Sequence, residues 1–287
     1  MMPIRKRVGN VSMSVTSMLG TVVAGLWSTN AAADQPVPWQ IGLQDAVSPV
    51  MENITGFWDL LFWLCVVIAS FVLILMVICM VRFNAKANPV PSKTTHNTLI
   101  EVAWTVVPIL ILVVIAIPSF RYLYYADKAV DAEMTIKALG YQWYWGYEYP
   151  DHGGLAFDAT MKEAEDLGEG ELRLLTTDEV LYVPVDTKIR LLVTGMDVIH
   201  AWAIPAFGIK LDGVPGRVNE AWFQVDKPGT YYGQCSELCG SRHGFMPIMV
   251  KAVSKKEFAD WVEQAKKKYA SAKAERLSVA QAAAPAN

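Results

Sequence analysis

The fold class this sequence predicts is membrane-anchored all-β: an N-terminal two-helix transmembrane hairpin followed by a β-sandwich. Three observations carry that expectation. Two uncharged apolar runs, 60–81 and 102–120, each have the length of a bilayer span. Short runs with period-two alternation, rich in β-branched and aromatic residues and broken by Gly, Pro and Asp, fill 134–253. The 287-residue chain is 53% hydrophobic with a mean hydropathy of +0.26, which fits a chain partly embedded in lipid.

In chain order, Arg5, Lys6 and Arg7 precede an apolar stretch over 11–27 and then Ala31, Ala32 and Ala33. This reads as a signal peptide over 1–33, cleaved near Ala33, with an uncleaved anchor as the alternative. An extramembrane segment over 34–56 leads into the hairpin at 57–122. Between the two spans, 82–97 holds Arg82, Lys86 and Lys93 and no acidic residue, whereas Asp45, Glu52 and Asp59 precede the first span. The positive-inside rule puts that loop in the cytoplasm. Both mature termini and everything after the second span then lie outside, the periplasm of a bacterial inner membrane.

The β-domain occupies 123–253, with strands expected at 134–139, 180–184, 189–193 and 221–225 in an antiparallel sandwich or barrel. Over 254–287, Phe258, Trp261, Val262 and Ala265 have helical spacing, Lys266, Lys267 and Lys268 close the helix, and the Ala-rich end is disordered. Cys65 and Cys79 fall within the first span and read as packing residues.

The chemistry is concentrated in 234–247, which places Cys235, Cys239, His243 and Met246 in one loop. Of the other three histidines, His96 lies in the basic loop and His152 in a Gly-rich turn. That leaves His200, which follows the β-rich run 189–193. Soft sulfur with imidazole selects copper, zinc or iron–sulfur centres, and the thioether leans towards copper. Two thiolates on one loop suit two copper ions sharing bridging sulfurs, each with one imidazole, while Met246 and a backbone carbonyl are weak outer ligands. A Cys235–Cys239 disulfide and a Cys2His2 zinc site are the alternatives.

The loop resembles the binuclear copper (CuA) loop of subunit II of haem-copper, aa3-type cytochrome c oxidase. The runs 140–145, 215–217 and 231–234 (Gly-Tyr-Gln-Trp-Tyr-Trp, Pro-Gly-Arg and Tyr-Tyr-Gly-Gln) look like that family's other motifs, in the same order. The resemblance implies a cupredoxin-like sandwich. It implies copper ligation by His200, Cys235, Cys239, His243 and Met246 through side chains and by Glu237 through its carbonyl. Further implications are a magnesium ion shared with subunit I through the Glu237 carboxylate, and Trp143 at the docking surface for cytochrome c. Glu101 would stand at the mouth of the proton path into subunit I. Glu148, Asp151, Asp158 and Asp197 are the acidic candidates for docking a lysine-rich cytochrome.

The implied function is the subunit through which electrons enter the oxidase, an oxidoreductase and translocase whose oxygen chemistry and haems sit in subunit I. Its partners would be subunit I, other oxidase subunits, cytochrome c and the lipid bilayer. Residues 132–253 hold 10 Lys/Arg against 17 Asp/Glu, a net charge of −7 that suits a basic protein partner and argues against nucleic acid. The chain has no C-x-x-C-H haem motif and no nucleotide fingerprint. Rival readings are a copper-free quinol oxidase subunit, which the intact ligands oppose, and a membrane-tethered copper-delivery protein, which needs no aromatic cluster. A nitrous oxide reductase needs many more than four histidines.

Overall fold

The computed structural model describes residues 35–127 and 131–282, with side chains to Tyr269. The expected signal peptide and the last five residues lie outside the described residues. Helix α1 spans Pro49–Arg82 and α2 spans Thr98–Asp127. Both satisfy their backbone internally and expose apolar side chains on all sides, as two membrane spans do. At about 1.5 Å per residue they measure about 51 and about 45 Å, against a hydrocarbon core of about 30 Å, so their ends stand clear of the lipid tails.

Helix α1 begins inside the segment expected to precede the hairpin, and its start has a local cause. Ser48 Oγ accepts the Met51 N–H at 3.0 Å, Pro49 sits in the first turn, and Glu52 faces the positive end of the helix dipole. At α2, Asn97 Oδ1 accepts from Ile100 N at 3.2 Å, and Glu101 reaches back to Asn97 N at 3.3 Å. Glu101 therefore helps cap the second span at the hairpin turn.

Ten strands follow: β1 Met134–Tyr141, β2 Tyr144–Tyr149, β3 Leu155–Ala159, β4 Leu181–Pro184, β5 Ile189–Gly195, β6 His200–Ile204, β7 Ile209–Gly213, β8 Asn219–Phe223, β9 Gly229–Gln234 and β10 Pro247–Val253. They form a five-stranded sheet in the order β3-β2-β1-β5-β8, a three-stranded sheet β4-β10-β9, and the β6-β7 hairpin. Alternation works as expected in β1 and β5, where Ile136, Ala138, Leu191 and Val193 are fully buried. The sandwich is mixed rather than antiparallel, because β1 pairs with β5 and β4 with β10 in parallel. Alternation reports which face is buried but not strand direction, and each of these pairs is joined by a connection long enough to cross over.

Helix α3, Lys255–Ala282, lays Phe258, Val262 and Ala265 onto the domain beside β3 and β4, with Trp261 stacked on Tyr182 at 4.8 Å. It continues past Lys268, where the sequence reading ended it. The residues from Ala270 to Ala282 contain neither Gly nor Pro, and Ala, Lys, Glu, Arg and Leu sustain a helix.

Both spans are fastened to the β-domain. Fully buried Ser48 donates to the Phe207 carbonyl at 2.7 Å, and Asp226 N donates to Val47 O at 3.0 Å. Gly208, at φ +70°, lets α1 approach, since a Cβ there would meet Ile54 Cδ1 at 2.8 Å and Met51 Cα at 3.0 Å. At the end of α2, Trp222 Nε1 donates to Tyr125 O at 2.9 Å and the two rings meet edge to face.

Candidate metal centre

Two backbone facts bring the sequence's ligands together. β9 and β10 are antiparallel neighbours with Gln234 opposite Pro247, so 235–246 is the loop that joins them. Ser236 N donates to Ala201 O at 3.0 Å, which ties this loop to β6, the strand that begins with His200 and is buried at every position. A tight approach completes the seat. A Cβ on Gly140 would stand 2.7 Å from the His200 ring, so only glycine leaves the imidazole its place.

The Sγ atoms of Cys235 and Cys239 stand 3.8 Å apart, unbonded. Two imidazoles stand beside them: His200 Nδ1 lies 3.9 Å from Cys235 Sγ, and His243 Nδ1 lies 3.6 Å from Cys239 Sγ and also acts on Cys235. Each sulfur also has one weaker donor, the Glu237 carbonyl at 3.4 Å from Cys235 Sγ and Met246 Sδ at 3.5 Å from Cys239 Sγ. Ligand atoms of His200, Cys235 and Cys239 all fall within 4.8 Å of one another. This set of two thiols, two imidazoles, a thioether and a carbonyl fits copper, which favours soft sulfur with imidazole.

Electrostatics favour a cation between the sulfurs. Burial opposes ionisation of Cys235, but the bond from His200, with help from backbone groups, outweighs it and brings the thiol down to about 6. Burial and then the charge on Cys235 push Cys239 up to about 12. One thiolate forms readily and a second resists, so a cation that displaced the second proton would relieve the repulsion between the two sulfurs.

Around this pocket the structure adds contacts that the sequence alone does not show. Asp197, expected at a docking surface, accepts from His200 Nε2 at 2.7 Å, Gln142 N at 2.6 Å and Val198 N at 2.6 Å. Burial disfavours its charge, yet the His200 and backbone bonds leave its carboxyl below the ordinary range. Trp143, expected at the docking surface, lies in the turn between β1 and β2. Trp145 and Tyr147 are core; Trp143 donates Nε1 to the Cys239 carbonyl at 3.3 Å, beside Gln142 Nε2 at 2.8 Å to the same oxygen. Gly240, at φ +123°, provides the floor for both, since a Cβ there would meet Trp143 at 3.0 Å and Gln142 at 3.1 Å.

The remaining expected acids spread along the sheet. Asp158 pairs across from Gly146, and Glu148 bridges Lys137 at 3.1 Å. Asp151 accepts from Thr135 N at 2.7 Å, at the opposite end of β1 from Gln142 and about 20 Å along the strand. It does not share the metal end, because the 3-10 turn at Pro150–His152 carries it back to the start of β1. Glu237 is half-buried.

Fold and pocket together define a membrane-anchored cupredoxin-like metalloprotein with a sulfur–imidazole site suited to copper. The sequence matches the family described as cytochrome c oxidase subunit II, transmembrane domain, over residues 36–122, and cytochrome c oxidase subunit II, periplasmic domain, over 134–253. It is 48% identical over 265 residues to a probable cytochrome c oxidase subunit 2 of Rickettsia bellii, covering 92% of this chain and 97% of that one. It is 46% identical over 247 residues to cytochrome c oxidase subunit 2 of Arabidopsis thaliana, covering 84% and 95%. Among solved structures, the periplasmic domain of subunit II of cytochrome oxidase of Bradyrhizobium japonicum is 56% identical, covers 50% of this chain and 99% of that one, and superposes with a TM-score of 0.46. The chain belongs to the cytochrome c oxidase subunit II family. Membership brings with it a copper centre in the β-domain, two membrane spans and association with subunit I.

Proposed function

We propose that this chain accepts electrons from cytochrome c and delivers them to subunit I, and that its pocket holds two copper ions. The observation that carries the reading is the convergence of two thiols 3.8 Å apart with two imidazoles, a thioether and a backbone carbonyl, more soft donors than one copper needs. When bound, the two coppers supply a one-electron couple spread over both metals and both sulfurs. The chain's residues do the rest. His200, Cys235, Cys239 and Met246 are at most 5% exposed, which keeps water from the metals and limits rearrangement. Asp197 holds the His200 ring, and Gln142 and Trp143 hold the Cys239 carbonyl.

Trp143, half-buried and bonded to the Cys239 carbonyl, is our proposed point of electron arrival. Around it the loops expose Met196, Ile199, Leu238 and Phe245, an apolar rim for a docked protein. The net charge of −7 draws a basic cytochrome at long range, with Asp158 and Glu148 nearer the metal end than Asp151. The Glu237 carboxylate offers magnesium one hard oxygen, the others coming from subunit I and water. Glu101 delivers protons to subunit I from the cytoplasmic end of α2. We assign residues 1–33 to a cleaved signal peptide, the 82–97 loop to the cytoplasm, and the β-domain and both mature termini to the periplasm of a bacterial inner membrane.

The test is rapid mixing of the assembled oxidase with reduced cytochrome c under anaerobic conditions. Reduction of the copper site ahead of the haems is the expected result. Haem reduction that precedes copper reduction would refute the reading.

A further inference from the structure

Four of the five side-chain donors are sealed, and one is not. His200, Cys235, Cys239 and Met246 are buried, while His243 is half-buried on the loop's outer arm. The solvent-facing side of the site is therefore the side of His243. That histidine begins a 3-10 turn, His243–Phe245, on a short arm bracketed by Gly240 and Gly244, and a Cβ on Gly244 would meet nothing within 4 Å, so this end faces open space. Within the arm the bonds are local, His243 N to Gly240 O at 3.2 Å and Phe245 N to Arg242 O at 2.9 Å.

One side chain reaches out of the arm to the rest of the domain. Arg242, beside His243, donates to Glu163 Oε1 at 2.8 Å and lies over the Phe245 ring at 5.6 Å. The post it grips is firm. Glu163 stands on the 160–178 loop, which is braced by Lys162 N to Thr176 O at 3.0 Å, by the Lys162–Glu171 ion pair at 2.7 Å, and by two bonds from Thr160 to Asp178, each 2.7 Å. An exposed arm carrying a proposed ligand is thus latched to a braced loop. The two partners are 51% and 52% exposed, and a pair that open is weak, which suits a latch that must release.

We propose that Arg242 and Glu163 are positioning residues that close the His243 arm over the metal pocket and set the rate at which copper enters and leaves it. This rests on the copper reading above. Because the pair holds the arm with or without a bound ion, breaking it speeds loading and loss together and leaves affinity unchanged. A role in tuning the ligands would instead change the affinity or the spectrum.

The test uses the full-length chain in detergent, with copper(I) supplied from, and withdrawn into, a chromogenic copper(I) chelator. Arg242→Gln and Glu163→Gln should each raise both rates by about two- to fivefold, the range an exposed pair can command, with equal affinity and, after one-electron oxidation of the loaded chain by ferricyanide, an unchanged visible spectrum. The double variant Arg242→Glu/Glu163→Arg should restore the original rates. Unchanged rates in both single variants, in a chain that loads normally, overturn the latch alone. So does a charge-swapped chain as fast as the singles, or a change of affinity or spectrum. A wild-type chain that takes up no copper overturns the copper reading and the latch with it.

Discussion

The Asp197 carboxylate accepts a hydrogen bond from His200 Nε2 at 2.7 Å, while Nδ1 of the same ring faces Cys235 Sγ at 3.9 Å. A carboxylate below its ordinary pKa has no proton to give, so Nε2 carries the hydrogen. In the neutral ring the Nδ1 lone pair is then free for a metal. Asp197→Asn keeps the volume and lets the amide NH2 face Nε2, which disfavours that tautomer. Copper affinity should fall by about 10- to 100-fold, as for other lost outer-shell partners, and the visible spectrum should shift. Chelator competition measures the first and absorption the second. A variant altered only in the salt dependence of cytochrome binding would return Asp197 to the docking surface.

Gly140→Ala should disturb the same ring at its Cδ2 edge. Its Cβ would lie 2.7 Å from the buried imidazole, so the ring or β1 must move. Overpacking of this kind costs about 1–3 kcal/mol. Thermal unfolding should fall accordingly and copper occupancy should drop with it. Full occupancy at wild-type stability would show that His200 has slack the geometry denies.

Trp143→Gln separates arrival of the electron from the site itself. The glutamine amide can still donate to the Cys239 carbonyl, so copper content, spectrum and cytochrome binding should stay near wild type. Rapid reduction by cytochrome c should be lost. Stopped-flow reduction with a copper assay distinguishes the outcomes, and a normal rate would place the point of arrival elsewhere.

Ser48→Ala tests the fastening of α1. The hydroxyl both caps the helix and satisfies the Phe207 carbonyl. Its loss should cost about 1–2 kcal/mol, read as a lower melting temperature for the β-domain in the detergent-solubilised chain. An unchanged melting temperature would mean that the domain does not depend on its contact with the span.

The cluster of proposed ligands was legible in the sequence because Cys235, Cys239, His243 and Met246 lie in one short loop, and only His200 had to come from elsewhere. The two spans were legible because length and the absence of charge suffice. What escaped depends on contacts remote in sequence. The three bonds to Asp197 join 142, 198 and 200, and a lone aspartate before a histidine gives no sign of them. Nor does a period-two pattern show that the strand stops before Trp143 and resumes at Tyr144, so the turn that brings Trp143 to the Cys239 carbonyl was not legible. Arg242 and Glu163 are 79 residues apart, and neither stands in a recognisable motif.

The central claim is a pocket for two coppers that share one electron. It is tested most directly by the copper-to-protein ratio of the purified full-length chain, measured with its paramagnetic resonance spectrum. The expected result is two coppers per chain, with a hyperfine pattern in which one unpaired electron couples equally to both nuclei. A single copper with ordinary mononuclear hyperfine splitting, or a site holding zinc alone, would contradict it.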